Sequence, residues 1–384
     1  MAMSELLAAA RDRQDEWLAV LEAMVSVDSG PGDADGIARV YDLAERELSQ
    51  LGFGSSERLP TAGPEVFVAR RAGHAEPALR LLLIGHADTV FAAGTVDERP
   101  FARRGDRVTG PGVADMKGGI VVAIAGLALA GSDVLDRLDI TFLLNGDEES
   151  GSADSRETIE RLAPDFDAAL VFEPGRPPNR IVASRRGAHR FDVVVQGKAA
   201  HTGVNPQDGA NAIETAAHHI LTVQELGRSI AGATVTAAMI EGGRRPNIVP
   251  DRCVIRVDTR FDTDEAESAV VEGIRALAGD GPVPGTITEV RSLDRRPAFA
   301  AVATELDALY KQVASEMGLE ITSEPTGGSS DGNFTSAKGV PTLDGLGAVG
   351  DDYHTADEYV LVDSIAERAA VFAGLLHRLA DGEK

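Results

Sequence analysis

One cysteine, Cys253, stands among 384 residues, which excludes an internal disulfide framework and a thiolate-rich zinc site. It lies beside Val254, Ile255 and Val257 in a strand-like run, so a small buried apolar side chain is its expected role. Positive charge is also scarce. Lys and Arg number 37 against 61 Asp and Glu, for a net charge of −24. Such a surface repels phosphate backbones and anionic membranes, which argues against nucleic-acid and membrane partners; any anion site must be locally positive. No apolar run reaches bilayer length, the longest being Ile120 to Ala130. The N-terminal segment mixes Glu5, Arg11, Asp12, Arg13, Asp15 and Glu16 into its apolar residues, as an amphipathic helix does and a signal peptide does not. A cytoplasmic protein is expected. In the glycine-rich stretch Gly110–Gly119 neither phosphate-binding motif, GxGxxG or GxxxxGK[ST], is present. The serines within Gly327 to Gly332 are not expected to form the nucleophile elbow of a serine hydrolase. Internal repeats and low-complexity tracts are missing too.

What is present is an ordinary globular composition, 43% hydrophobic and 26% charged, on a chain long enough for two domains. Trp17, Leu18, Leu21 and Met24 share one helical face, as do Ile37, Val40, Tyr41, Ala44 and Leu48 on a second helix. Continuous apolar runs at Leu81–Ile84, 140–144 and 168–172 read as strands buried on both faces. The helix-like 120–130 segment separates the first two. This predicts an α/β domain with a mostly parallel sheet sandwiched by helices. The middle of the chain reads differently: a strand at 191–195, a helix at 210–226, strands at 235–240 and 254–259, a helix at 264–277 and a strand at 286–290. That β-α-β-β-α-β order predicts an inserted ferredoxin-like α+β domain over 185–296, with 1–184 and 297–384 forming the interrupted domain.

Acids and histidines collect at the ends of the predicted buried strands. Gly85-His86-Ala87-Asp88 ends one; two residues apart in extended chain, Asp88 can orient the His86 imidazole as a metal ligand. Gly110-Pro111-Gly112-Val113-Ala114-Asp115 is a tight loop before a helix, and a carboxylate there suits a cation better than a phosphate. Asn145-Gly146-Asp147-Glu148-Glu149 follows the next strand. In extended backbone Glu148 and Glu149 would point oppositely, one to metal and one to substrate. Glu173 ends a further strand, and His354 sits in a polar loop before the last helix. Taken singly each has a bland reading: a strand-end histidine, a helix cap, solvated acids. Their coincidence at the strand ends, where open α/β sheets bind ligands, favours two divalent ions, zinc first and manganese or cobalt next.

With these segments assembled, the chain resembles the metallopeptidase family of carboxypeptidase G, acetylornithine deacetylase, succinyl-diaminopimelate desuccinylase and aminoacylase, most of all its carboxypeptidase G (glutamate carboxypeptidase) branch. The motifs that carry the likeness run in order from 81 to 362: GHADTV, GPGVADMKGG, NGDEESGS, FEPG, GKAAHTG, PNIVPD and YHTADEY. The resemblance implies a fold of zinc-exopeptidase type and a homodimer formed through the insert, which would also act as a lid. It implies one zinc on His86, Asp115 and Glu173, and a second on the shared Asp115, Glu149 and His354. Glu148 would be the general base, Asp88 the partner of His86, and the Asp115–Met116 peptide cis. His201 would reach the substrate carbonyl in a partner subunit's site. Asn247, Arg260 and backbone near Gly328 would hold the substrate carboxylate. The reaction implied is cleavage of an amide in a small peptide or N-acyl amino acid, releasing an acidic residue. A deacetylase or desuccinylase is the alternative, and a non-catalytic metal-containing binding protein a more distant one. His74, His189, His218, His219 and His377 match no ligand motif. The insert is rich in arginine (Arg185, Arg186, Arg190, Arg244, Arg245, Arg260); most are expected to pair with surface acids, with Arg260 as the exception.

Overall fold

The computed structural model describes residues 2–73, 76–300 and 304–383; His74 lies outside them. The chain forms two compact units. One comprises Met1–Ser184, Ala301–Thr326 and Ser330–Lys384; the other is Arg185–Ala300 with Gly327–Ser329.

The first unit opens with three helices, α1 (Met3–Asp12), α2 (Gln14–Val25) and α3 (Ala34–Gln50). Trp17, Leu18, Leu21 and Met24 are buried on α2, and Ile37, Val40, Tyr41, Ala44 and Leu48 on α3, as their spacing requires. Asp33 caps α3 by accepting the Gly36 N–H at 2.8 Å. Strands β1 (Ser55–Leu59), β2 (Val66–Arg71), β3 (Leu79–His86), β4 (Leu138–Asn145) and β5 (Ala168–Val171) follow. They form one sheet in the order β1-β2-β4-β3-β5, closed at its edge by Thr342–Leu343. From β4 to that edge every pairing is parallel, while β2 and β1 join antiparallel.

Alternation along β3 shows why its sequence is uniformly apolar. Leu81 and Leu83 belong to one core with Phe142, Leu144 and Leu170. Leu82 and Ile84 face the opposite core with Leu143, Val171 and Phe334. A strand covered on both sides has no polar face to show. Helix α4 (Gly119–Ala130) and the C-terminal helix Val362–Ala380 cover the first face. The helical window Val113–Ala130 has the length and hydropathy of a membrane span, but 89% of it is buried in protein. Its apolar character is that of a core helix.

In the second unit, β6 (Gly187–Gln196), α5 (Ala212–Ser229), β7 (Ala233–Gly242), β8 (Arg252–Phe261), α6 (Asp264–Arg275) and β9 (Ile287–Arg296) follow in sequence. The antiparallel sheet runs β7-β8-β6-β9, with Gly279–Asp280 at the outer edge. This is the ferredoxin-like order. Its core is Phe191, Val193, Val195, Ile255 and Val257 from the sheet against Ala216, Val223, Val270 and Ile274 from the helices, and Cys253 is buried within it.

Candidate metal centre

The parallel strands β3, β4 and β5 run side by side, so their C-terminal ends deliver His86, the Asn145–Glu149 turn and Glu173 to one edge of the sheet. Two further loops, carrying Asp115 and His354, meet them there. The His86 ring is buried, 1% exposed. Its Nδ1 lies 3.0 Å from the Asp88 carbonyl oxygen and 3.3 Å from Asp88 Oδ1. Both partners are acceptors, which places the proton on Nδ1 and turns the lone pair of Nε2 outward. That lone pair meets Asp115 Oδ1 at 3.1 Å and Glu173 Oε1 at 3.8 Å. On the other side His354 Nε2 lies 3.2 Å from Asp115 Oδ2 and 3.1 Å from Glu149 Oε2. The two oxygens of Asp115 are thus divided between two histidines, each with its own glutamate.

Glu148 joins the same cluster: one donor atom each from His86, Glu148 and Glu173 lie within 4.8 Å of one another, as do those of His86, Asp115 and Glu149. The expectation that Glu148 and Glu149 point to opposite sides does not hold. Residues 147–151 form a turn, closed by Ser150 and Ser152 N–H bonds to the Asp147 carbonyl and a Gly151 N–H bond to Glu148. Two-residue alternation applies only to extended backbone, so both side chains reach the centre.

Four carboxylates and two imidazoles with acceptors facing acceptors are not at rest without positive charge. Hydrogen bonds to Asp115 and Glu149 raise the His354 pKa to about 10. Burial opposes a charge on His86, yet its bonds to Asp115 and Asp88 raise its pKa well above the usual value. Burial pushes Glu149 up to about 7, and its Oε1 is buried with no hydrogen-bond partner. Protons are drawn to where cations would sit. This donor set, all nitrogen and oxygen, fits two divalent metal ions.

Local sequence explains how the loops hold this shape. Gly112 has φ +69°, a left-handed conformation open to glycine. A Cβ on Gly119 would fall 1.8 Å from the Phe172 carbonyl oxygen, so only glycine lets α4 start against the segment bearing Glu173. The Asp115–Met116 peptide is cis.

Three supporting residues had no role assigned from sequence. Glu358, 1% exposed, accepts the backbone N–H groups of Gly112, Ala114 and Asp115 at 2.9–3.0 Å. Tyr353 Oη donates to the carbonyl oxygens of Gly350 (2.7 Å) and Gly175 (3.2 Å), the latter two residues past Glu173. Asp331 accepts from Asn145 Nδ2 and Ser152 Oγ, bracing the turn that carries Glu148. Glu358 and Tyr353 stand in the YHTADEY motif, so motif membership was their one sequence signal. Gly328-Ser329-Ser330-Asp331-Gly332 does have G-x-S-x-G spacing, but the buried Ser330 hydroxyl donates to Asp344 at 2.6 Å rather than to a histidine. No activated nucleophile results.

The remaining expected site residues lie in the second unit. His201 is exposed, its Nδ1 accepting the Gly203 N–H at 3.1 Å. Asn247 is exposed and its carbonyl accepts the Thr202 N–H. The Gly328 carbonyl accepts from Arg185. Arg186, Arg190 and Arg244 pair with acids as expected. Arg260 is paired as well: its fork is engaged by Asp258, Nε at 3.0 Å and Nη2 at 3.2 Å. Two residues apart on one strand, these side chains share a face. His189 and His219 are buried and bonded to Ser292 and Thr288, and His218 is exposed.

Comparison with known proteins agrees with this geometry. The profile of peptidase family M20/M25/M40 matches residues 82–378. Carboxypeptidase G2 of Pseudomonas sp. (strain RS-16) is 32% identical over 390 residues, covering 98% of this chain and 92% of its own length. A succinyl-diaminopimelate desuccinylase of Acidovorax ebreus (strain TPSY) is 31% identical over 358 residues, covering 85% and 89%. Among solved structures, aminopeptidase PepT of Bacillus cereus ATCC 10987 superposes with a TM-score of 0.77 at 21% identity, covering 96% and 99%. The chain belongs to peptidase family M20/M25/M40. It is therefore a metallopeptidase or amidohydrolase with a zinc-exopeptidase fold.

Proposed function

We propose that this hydrolase cleaves an amide bond in a short peptide or N-acyl amino acid and releases a C-terminal acidic amino acid, with zinc as the first metal and manganese or cobalt as substitutes. The observation that carries this reading is the divided Asp115 carboxylate, one oxygen toward His86 and the other toward His354. His86, Asp115 and Glu173 would hold one ion, and Asp115, Glu149 and His354 the other. When bound, such ions supply Lewis acidity for the carbonyl and lower the pKa of water. Glu148 belongs to neither trio. It takes the proton of the attacking water and returns it to the leaving nitrogen. Asp88 keeps the His86 ring oriented through Nδ1. His201 donates to the developing oxyanion, while Asn247, Arg260 and the Gly328 backbone receive the substrate carboxylate.

The likeness to carboxypeptidase G2 supports release of a C-terminal residue, and the resemblance to the glutamate carboxypeptidase branch favours an acidic one. A second reading, an N-acyl amino acid deacylase, is favoured by the desuccinylase relative and by Asp258, which already occupies the Arg260 fork. Turnover of N-acyl glutamates, acetylornithine and succinyl-diaminopimelate by the metal-loaded protein separates the two. In Glu148→Gln, kcat should fall about 10²–10⁴-fold, the usual worth of a general base, with metal content unchanged. Full activity would remove Glu148 from its role.

A cytoplasmic homodimer belongs to the same proposal, with His201 serving the site of a second copy. Exposed Leu221, Met239 and Ile240, on α5 and the edge strand β7, support a pairing surface there. Sedimentation as a monomer at micromolar concentration would contradict it.

A further inference from the structure

The backbone of the loop that carries Asp115 closes on itself through Val113 N–H to Gly110 and Lys117 N–H to Gly112. The N–H groups of Gly112, Ala114 and Asp115 all turn toward one buried carboxylate, Glu358: Oε2 takes Gly112 at 3.0 Å, and Oε1 takes Ala114 at 2.9 Å and Asp115 at 3.0 Å. Glu358 follows His354 by four residues. Immediately after it, Tyr359 and Val360 pair with Thr109 and Val108, the strand that leads into the Asp115 loop. One side chain thus joins the segments that supply Asp115 and His354, near the point where both leave a common strand pair.

We propose that Glu358 is a positioning residue for the metal centre, setting Asp115 against His354 so that its two oxygens serve two ions at once. This rests on the dinuclear reading above.

The arrangement goes beyond what holding a loop requires. A neutral acceptor such as water could take one of these donors, whereas a second acid beside Asp115 adds negative charge to a crowded, buried site. A carboxylate also accepts on both oxygens, so it fixes Gly112 on one side and Asp115 on the other; a carboxamide cannot, because its –NH2 would face the Gly112 N–H. Lys117, buried with its Nζ on the Val27 carbonyl at 2.8 Å, adds a positive charge that acts on Glu358 and ties the same loop to the segment after α2.

The test is a calorimetric titration of zinc into metal-stripped wild type, Glu358→Gln and Glu358→Asp, with kcat and KM measured across free zinc. Wild type should take two ions. Glu358→Gln should keep the far-ultraviolet circular dichroism of wild type and bind its second ion about 10–100-fold more weakly, the usual effect of removing a group that orients ligands. Its kcat should fall at limiting zinc and recover as zinc rises, with KM unchanged. A loop weakened only in stability would show neither the selective loss of one ion nor the recovery. Glu358→Asp keeps the charge on a shorter stem and should lie between the two, and it stands in if Glu358→Gln does not fold. Two ions bound with wild-type affinity in the folded variant would overturn the role of Glu358 alone. Fewer than two in wild type would overturn the dinuclear centre beneath it.

Discussion

The Glu149 N–H donates to Asp88 Oδ2 at 2.9 Å, and the Glu148 N–H donates to Oδ1 of the same carboxylate at 3.2 Å. Asp88 therefore does more than orient His86, whose Nδ1 it faces at 3.3 Å. It ties the end of β3 to the turn after β4. The same device recurs around the centre: Glu358 ties the Asp115 loop to the His354 loop, and Tyr353 ties the His354 loop to the residues after Glu173. Each ligand-bearing segment is fastened to a neighbour by one side chain, so the geometry survives although the donors repel one another. Such outer contacts place ligands as surely as the ligands place the metal.

Asp88→Asn tests this most directly. The variant keeps its volume, but its amide nitrogen cannot accept an N–H, so either Glu148 or Glu149 loses its backbone anchor. The loss of charge also weakens the hold on the His86 tautomer. Expected are an about 10–100-fold fall in kcat and weaker zinc binding, measured by steady-state kinetics and metal titration. An effect confined to KM would show that Asp88 acts on substrate and not through the ligands.

Gly119→Ala probes the packing that sets Glu173. The added methyl group would lie 1.8 Å from the Phe172 carbonyl oxygen, a backbone atom that cannot rotate away. Either α4 or the end of β5 must move. Overpacking of this kind costs about 1–3 kcal/mol and sometimes more, and displacement of Phe172 carries Glu173 with it. A lowered melting temperature together with weakened metal binding is expected. A melting temperature equal to wild type would mean that the contact relaxes freely.

How much of this was legible in the sequence follows from the physics of each signal. Strands β3, β4 and β5 were readable because burial on both faces leaves continuous apolar runs. Strand β1 (Ser-Ser-Glu-Arg-Leu) was not, because it lies at the edge with exposed side chains and owes its place to pairing with β2. The five ligand candidates stood out because acids and histidines at strand ends have few other reasons to cluster. The joint orientation of Glu148 and Glu149 did not, since a turn held by Asp88 erases the alternation that sequence reasoning assumes. The role of Glu358, present in the YHTADEY motif, was hidden for a related reason: its work is on backbone N–H groups, which leave no mark on residue identity. The Asp258–Arg260 pair was open to reading, as i and i+2 on one strand share a face, but the motif drew attention to Arg260 alone.

The last prediction concerns the second unit and pH. Glu267, buried at the start of α6, meets His189 Nδ1 at 3.1 Å and takes both Arg295 donors at 2.5 and 2.6 Å. Burial raises a carboxyl pKa, but the bonds from His189 and Arg295 outweigh it and hold Glu267 at about 2, against an ordinary 4.5. A group whose pKa is depressed in the folded state binds its proton more readily when unfolded. Its contribution is therefore complete above about pH 4.5 and is lost as pH falls from there toward 2. Glu267→Gln should lower the melting temperature near neutrality, where Arg295 and His189 lose the charge of the Glu267 carboxylate. It should also shrink the gap from wild type as the buffer is taken from pH 5 toward 2.5 (about the span of the two pKa values). Parallel thermal melts of the two proteins read that difference directly and cancel the titration of every other carboxylate. A gap that stays constant across the acid range would show that Glu267 holds α6 to the sheet by packing rather than by charge.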